Sequence, residues 1–174
     1  MSHRVGHGFE RGARVSHRVG HGFDTHRLVP GRPLLLGGIV VPSELGLEGH
    51  SDGDCVLHAV CDALLGAAAA GDMGQHFPST DAKWKGASSR LFVQEVARIL
   101  HDHGYVVENV DVTVVAQAPA LAPYLGRMRD TLGSLLGLPK DAVSVKAKST
   151  DGLGSIGRAE GIAAHAVALL RRPE

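Results

Sequence analysis

The run SDGDCVLHAVCDALLGAAAAG, from Ser51 to Gly71, is the feature that most constrains the fold. Residues suited to capping a helix precede a long series of helix formers, and Gly71 is the residue type that most often follows a helix C-terminus. The run therefore predicts a helix that stops at Gly71. Cys55 and Cys61, the only cysteines, face different ways on such a helix and cannot bridge, so they read as reduced, buried, structural thiols.

Around this helix the chain alternates between two periodicities. PLLLGGIVVP, Pro33 to Pro42, predicts two short strands joined at Gly37 and Gly38. SSRLFVQEVARILHDHG predicts a helix, with Leu91, Phe92, Val96, Ile99 and Leu100 at helical spacing. ENVDVTVVAQ alternates with period two at Val110, Val112 and Val114, as does AVSVKAKS at Ala142 to Ser149, and a further helix is expected over roughly Leu121 to Leu136. The terminal EGIAAHAVALL fits a buried strand or a helix equally. DMGQHFPSTDAKWKGAS is polar and turn-rich and predicts a long loop.

With 174 residues and 44% hydrophobic residues the chain has the size of one domain with one core. Its 18 basic and 18 acidic residues cancel, which argues against an electrostatic grip on nucleic acid or a membrane surface, so any anionic ligand has to be held locally. The start is rich in Arg and His and lacks a signal-peptide core. The apolar stretch at Ala63 to Ala70 is far too short to span a bilayer, and the expected location is the cytoplasm.

SHRVGHGF occurs twice, at Ser2 to Phe9 and at Ser16 to Phe23. Only the second copy continues into Asp24-Thr25-His26, whose outer residues share one face of a strand and can grip one metal ion. His58, inside the long helix, has Asp62 one turn further along the same face, an acceptor for the ring's second nitrogen. Asp24, His26 and His58 together make a two-nitrogen, one-carboxylate set that suits zinc and leaves a fourth position open, as catalytic sites do. Residues 1–15 read as an N-terminal extension and 16–174 as a single domain. The histidines His3, His7 and His17 are read as part of a solvated terminus rather than a further metal site. KAKSTDGLGSIGRAEG places Ser149, Thr150, Asp151 and the glycines Gly152, Gly154 and Gly157 after a strand that carries Lys146 and Lys148 on one face. Hydroxyls and backbone N–H groups at such a turn cradle phosphate oxygens, and Asp151 suits a hard cation.

GHGFDTH, GGIVVP, HSDGDCVLHAVCDALLGAAAAGDMGQHFPSTD, VDVTVVAQAP and VKAKSTDGLGSIGRAEGIAAHAVALL, in that order, resemble the 2-C-methyl-D-erythritol 2,4-cyclodiphosphate synthases from about Arg18 to Leu170. The resemblance implies an α+β, two-layer fold, a mixed β-sheet with helices packed on one face, assembled as a homotrimer with active sites between subunits. It implies zinc (Zn2+) on Asp24, His26 and His58, and a second divalent cation, Mg2+ or Mn2+, on Asp151. His50 and Ser149 would stabilise the transition state, and His50 and Ser51 would contact the substrate. Asp72, Met73 and Gly74 resemble the family's ribose-contacting segment. Phe77, Pro78, Ser79, Thr80 and Asp81 resemble its mobile substrate loop, and Ala116, Gln117, Ala118, Pro119, Ala120, Leu121 and Ala122 resemble its cytosine pocket. Lys148, Ser149, Thr150 and Asp151 would hold phosphate. Asp151 stands where familiar members carry Glu, Ser149 where Thr is common and Ser155 where an aromatic is common.

The implied substrate is a cytidine diphosphate, 4-diphosphocytidyl-2-C-methyl-D-erythritol 2-phosphate, whose 2-phosphate attacks the β-phosphorus and releases CMP. A phosphate nucleophile is already ionised, which agrees with the lack of a convincing Ser-His-Asp arrangement. Arg158 and Glu160 match positions at the family's trimer axis. An ion pair between subunits is the first expectation there, and an isoprenoid diphosphate ligand the second. Two other functions fit the metal set: a zinc phosphohydrolase that uses metal-bound water, and a non-catalytic zinc-stabilised trimer that binds isoprenoid diphosphates.

Overall fold

The structure, a computed structural model, describes residues 17–173. The first copy of the doubled segment lies outside that range. The second copy opens β1 (His17–Pro30), which is followed by β2 (Leu34–Leu36), β3 (Ile39–Val41), β4 (Leu45–Leu47) and α1 (Cys55–Ala68). Then come α2 (Met73–His76), α3 (Ser89–Asp102), β5 (Val106–Val115), α4 (Leu125–Leu136), β6 (Val143–Lys148), α5 (Gly154–Gly157) and β7 (Gly161–Arg171). One sheet has the order β4-β1-β7-β5-β6, in which β5 and β6 are parallel and the other pairs antiparallel; β2 and β3 form a separate hairpin. The fold is α+β with a mixed sheet.

The ambiguous terminal run is β7, paired with β1 on one side and β5 on the other. Its burial alternates at Ile162, Ala164, Ala166, Ala168 and Leu170, so small residues meet α1 and leave room for its backbone. The glycines of the GHG stretch bring α1 closer still. A Cβ on Gly20 would lie 2.0 Å from the carbonyl oxygen of Ala63, and one on Gly22 would lie 1.9 Å from that of Ala59. Backbone therefore packs on backbone. Eleven of the residues of α1 are buried, including both cysteines, which are free thiols. Burial also raises both cysteine pKa values.

Four expectations change in detail. Helix α1 ends at Ala68, not next to Gly71: Ala69 takes the left-handed conformation at φ 54°, and Ala69 N–H and Ala70 N–H close onto the carbonyls of Gly66 and Leu65. These two bonds satisfy the helix end and offset the cost of a Cβ there. The segment 72–88 is not a featureless loop. Asp72 caps α2, Asp81 caps a 3-10 turn at Ala82–Trp84, and Phe77 is buried, stacked on Phe92 with centroids 4.7 Å apart and edge-on to Trp84. The helix expected from Leu121 starts as a 3-10 turn at Ala122–Tyr124, with Pro123 in its first turn, before becoming α4. In α3, Leu91 faces solvent and Val93 takes a core position beside Phe92, Val96 and Leu100.

Candidate active site

Asp24 and His26 lie on the helix-facing side of β1, and His58 faces them from α1. One carboxylate oxygen of Asp24 is 2.9 Å from His26 Nε2 and 2.9 Å from His58 Nδ1, and those two nitrogens are 3.2 Å apart. Three ligand atoms from three side chains thus converge within 4.8 Å of one another, the set that the sequence singled out. Burial alone would raise the pKa of Asp24, but the hydrogen bonds and charges of the two imidazoles outweigh it and hold the carboxyl far below its usual range. Burial alone would lower the pKa of His26, and Asp24 outweighs it in the opposite direction, with help from the Glu48 carbonyl.

The nitrogens that face away from this cluster are engaged as well. The Glu48 backbone accepts from His26, while His58 Nε2 lies 2.9 Å from Ser89 Oγ and 3.1 Å from Ser51 Oγ. Asp62, expected behind His58, instead accepts the backbone N–H of Met73 at 2.8 Å and so ties α2 to α1. The reason is the ring's orientation: Nδ1 points at Asp24 and Nε2 at the N-terminus of α3, so neither nitrogen points along the helix toward Asp62. The donor set fits zinc by type and number, with both remote nitrogens held.

Beside the cluster a cavity of about 140 Å3 is lined by His26, His50, Ser51, His58, Met73, Phe77 and Ser79, among others, so residues expected for metal, substrate and loop share one space. Arg32 grips the backbone around His50, donating to the carbonyls of Gly49 at 2.9 Å and Ser51 at 2.7 Å. Asp54, fully buried, caps α1 through the N–H groups of Val56 and Leu57 and also accepts those of Gly37 and Gly38, which pins the β2–β3 turn to the start of the helix. Arg32, Asp52 and Ser89 had no signal of their own in the sequence, because their roles depend on backbone atoms and neighbours distant in the chain.

The expected phosphate and base residues gather elsewhere. Ala116 N–H donates to the Lys148 carbonyl, and Gln117 accepts from Gly152 N–H, so the 116–122 segment and the 149–152 turn meet at the ends of β5 and β6. Ser149 Oγ donates to Asp151 at 3.0 Å, and Asp151 has a left-handed φ of 52°. The Ala118–Pro119 peptide is cis. Lys146 and Lys148 lie on the sheet face opposite the helices, and Lys146 pairs with Asp111. Within one chain, the Lys146 and Lys148 side chains and the Asp24-His26-His58 cluster therefore lie on opposite faces of the sheet. Arg158 donates to Glu160 at 2.7 Å inside the same chain. Ser155 borders a shallow pocket with His26 and Glu160.

Residues 17–171 match the YgbB family. The chain belongs to this family. A relative from Laribacter hongkongensis named 2-C-methyl-D-erythritol 2,4-cyclodiphosphate synthase is 56% identical over 148 residues, 85% of this chain and 91% of that protein. A solved synthase of the same name, in a CDP-bound form, is 38% identical with a TM-score of 0.81, covering 88% of this chain and 99% of its own. The bifunctional IspDF from Campylobacter jejuni superposes with a TM-score of 0.87 at 37% identity. The match covers 91% of this chain but only 43% of that longer one. Both the Asp24-His26-His58 cluster and the 149–152 turn lie within the residues that this match covers. Among the described residues, no helix is long and apolar enough to cross a membrane.

Proposed function

We propose that the chain converts 4-diphosphocytidyl-2-C-methyl-D-erythritol 2-phosphate into 2-C-methyl-D-erythritol 2,4-cyclodiphosphate and CMP, as a phosphorus–oxygen lyase of isoprenoid precursor synthesis. The observation that carries this reading is the convergence of Asp24, His26 and His58 beside the cavity that contains His50 and Ser51. The family match and the named relatives support it. Zinc held by Asp24, His26 and His58 would supply Lewis-acid polarisation of the attacked phosphoryl group, and Mg2+ or Mn2+ held by Asp151 would supply further charge neutralisation.

The chain's own residues then have to align the 2-phosphate with the β-phosphorus and exclude water. In this reaction a 2-phosphate oxygen forms a bond to the β-phosphorus as the bond to the CMP oxygen breaks, so no proton has to be removed from the nucleophile. His50 and Ser51 are positioned for the phosphate oxygens by the two Arg32 bonds that flank them. The turn at Lys148, Ser149 and Thr150 offers a cation, two hydroxyls and backbone N–H groups, and the 116–122 segment offers backbone groups to cytosine. Phe77, packed against Trp84 and Phe92, lines the cavity together with Ser79 from the segment that follows it.

The placement of Lys146 and Lys148 on the face away from Asp24, His26 and His58 supports a site assembled from neighbouring copies, as a homotrimer provides. The open sheet face also exposes Val19, Phe23 and Val167, apolar area suited to burial between subunits. At the trimer axis of this reading Arg158 and Glu160 serve first as an ion pair and second as contacts for an isoprenoid diphosphate. The zinc content of wild type and His58→Ala, with CMP release assayed on both, tests the reading. One ion per chain and CMP from the wild type, with both lost in the variant, is the expected result. CMP release independent of the metal set would refute it.

A further inference from the structure

Ser89 and Asp52 lie behind His58, on the side of the ring away from Asp24. Ser89 is fully buried at the first turn of α3. Its hydroxyl donates to Asp52 Oδ1, its backbone N–H donates to Asp52 Oδ2 at 2.9 Å, and Asp54 N–H adds a third bond to the same carboxylate at 3.2 Å. The N–H of Asp52 donates to the Ala87 carbonyl at 3.0 Å, which fixes the carboxylate relative to α3.

A carboxylate only accepts, so the single proton of the Ser89 hydroxyl is committed to Asp52. Toward His58, 2.9 Å away, Ser89 Oγ can then only accept, so once a metal ion replaces the Nδ1 proton that Asp24 Oδ2 accepts at 2.9 Å, the remaining proton of a neutral His58 sits on Nε2. That leaves the Nδ1 lone pair directed at the point shared with Asp24 Oδ2 and His26 Nε2. Ser51 Oγ does not enforce this choice. It lies 3.1 Å from the same nitrogen and accepts from Gly53 N–H at 3.3 Å, but no carboxylate among the described residues takes its proton, so it suits either tautomer.

We infer that Ser89, oriented by Asp52, is a positioning residue that fixes His58 in the Nε2–H tautomer and thereby sets the zinc affinity of the site. The inference rests on the proposed zinc reading and deepens it. It also links the ion to the 72–88 segment, because Asp52 holds the start of α3 and the Ala87 carbonyl together.

The test is a competition titration of zinc against a chromophoric chelator, combined with histidine side-chain 15N–1H spectra of the zinc-loaded protein. Wild type is expected to show a slowly exchanging Nε2–H on His58. In Ser89→Ala that proton should exchange rapidly and zinc should bind about 10- to 100-fold more weakly, the usual cost of losing such a partner. Asp52→Asn, which leaves an amide donor facing Ser89, should weaken zinc in the same direction and carries the test if Ser89→Ala does not fold. Wild-type affinity and an unchanged Nε2–H signal in a folded variant would overturn the inference. A wild-type chain that binds no zinc would instead refute the metal reading, and the inference with it. That failure is separable from a selective defect in the variants.

Discussion

The most demanding prediction concerns Gly22, one residue before Phe23 in the second GHGF. Replacing it with Ala places a Cβ 1.9 Å from the carbonyl oxygen of Ala59 and 2.6 Å from the N–H nitrogen of Ala63, both backbone atoms of α1. A carbon–oxygen contact of about 3.3 Å is the normal closest approach, so α1 must retreat by roughly 1.4 Å along that line. His58 precedes Ala59 on this helix, and its Nδ1 would recede from Asp24 Oδ2 and His26 Nε2, now 2.9 and 3.2 Å away. Metal bonds tolerate only about 0.2 Å of misplacement. The overpacking should cost about 1–3 kcal/mol, lowering the Tm of the metal-free protein by roughly 2–4 °C per kcal/mol, with a loss of zinc affinity beyond that seen for Ser89→Ala. Thermal unfolding and chelator competition measure both. Gly66→Ala, on the same helix with open space around it, is the control and should stabilise by about 0.5–1 kcal/mol. Wild-type zinc affinity and Tm in Gly22→Ala would refute the claim that backbone contact between β1 and α1 sets the metal geometry.

Arg32→Ala removes both bonds to the backbone flanking His50, so kcat should fall by about 10- to 100-fold while zinc content stays unchanged; parallel steady-state kinetics and metal analysis decide it. Zinc binding should be linked to protons. His26 is raised in the metal-free protein, so its stabilising contribution is complete below its unfolded pKa of 6.5 and is lost as pH rises through the folded value. Asp24 is depressed, so its contribution is present above 3.8 and is lost as pH falls through the folded value. Metal-free protein should therefore gain most from this pair between those two unfolded values, and zinc should displace a proton from His26 near neutral pH. Calorimetry in buffers of different ionisation enthalpy measures that release, and buffer-independent heats would contradict it.

Much of this was legible in the chain because it follows from local pattern. Asp24 and His26 share a face by strand periodicity, and Val110, Val112 and Val114 announced β5 by alternation. The family resemblance gave His50 and Ser51 as substrate contacts, and both line the cavity that His26 and His58 also line. What escaped notice depends on distant partners. Nothing local distinguishes helix from strand in GIAAHAVALL; β7 is decided by neighbours on both sides that bury its alanines. Asp62 has the right spacing on α1 to serve His58, but the ring turns toward Asp24 and Ser89. Ala69 ends α1 before Gly71 because two backbone bonds close the helix there.

The reaction itself is tested most directly by 31P NMR of the purified chain with diphosphocytidyl methylerythritol 2-phosphate and Mg2+, comparing wild type with His58→Ala. Resonances of CMP and a cyclic diphosphate from the wild type, absent with the variant, are the predicted result. Free phosphate or an open-chain diphosphate would show water acting as the nucleophile and contradict the cyclisation.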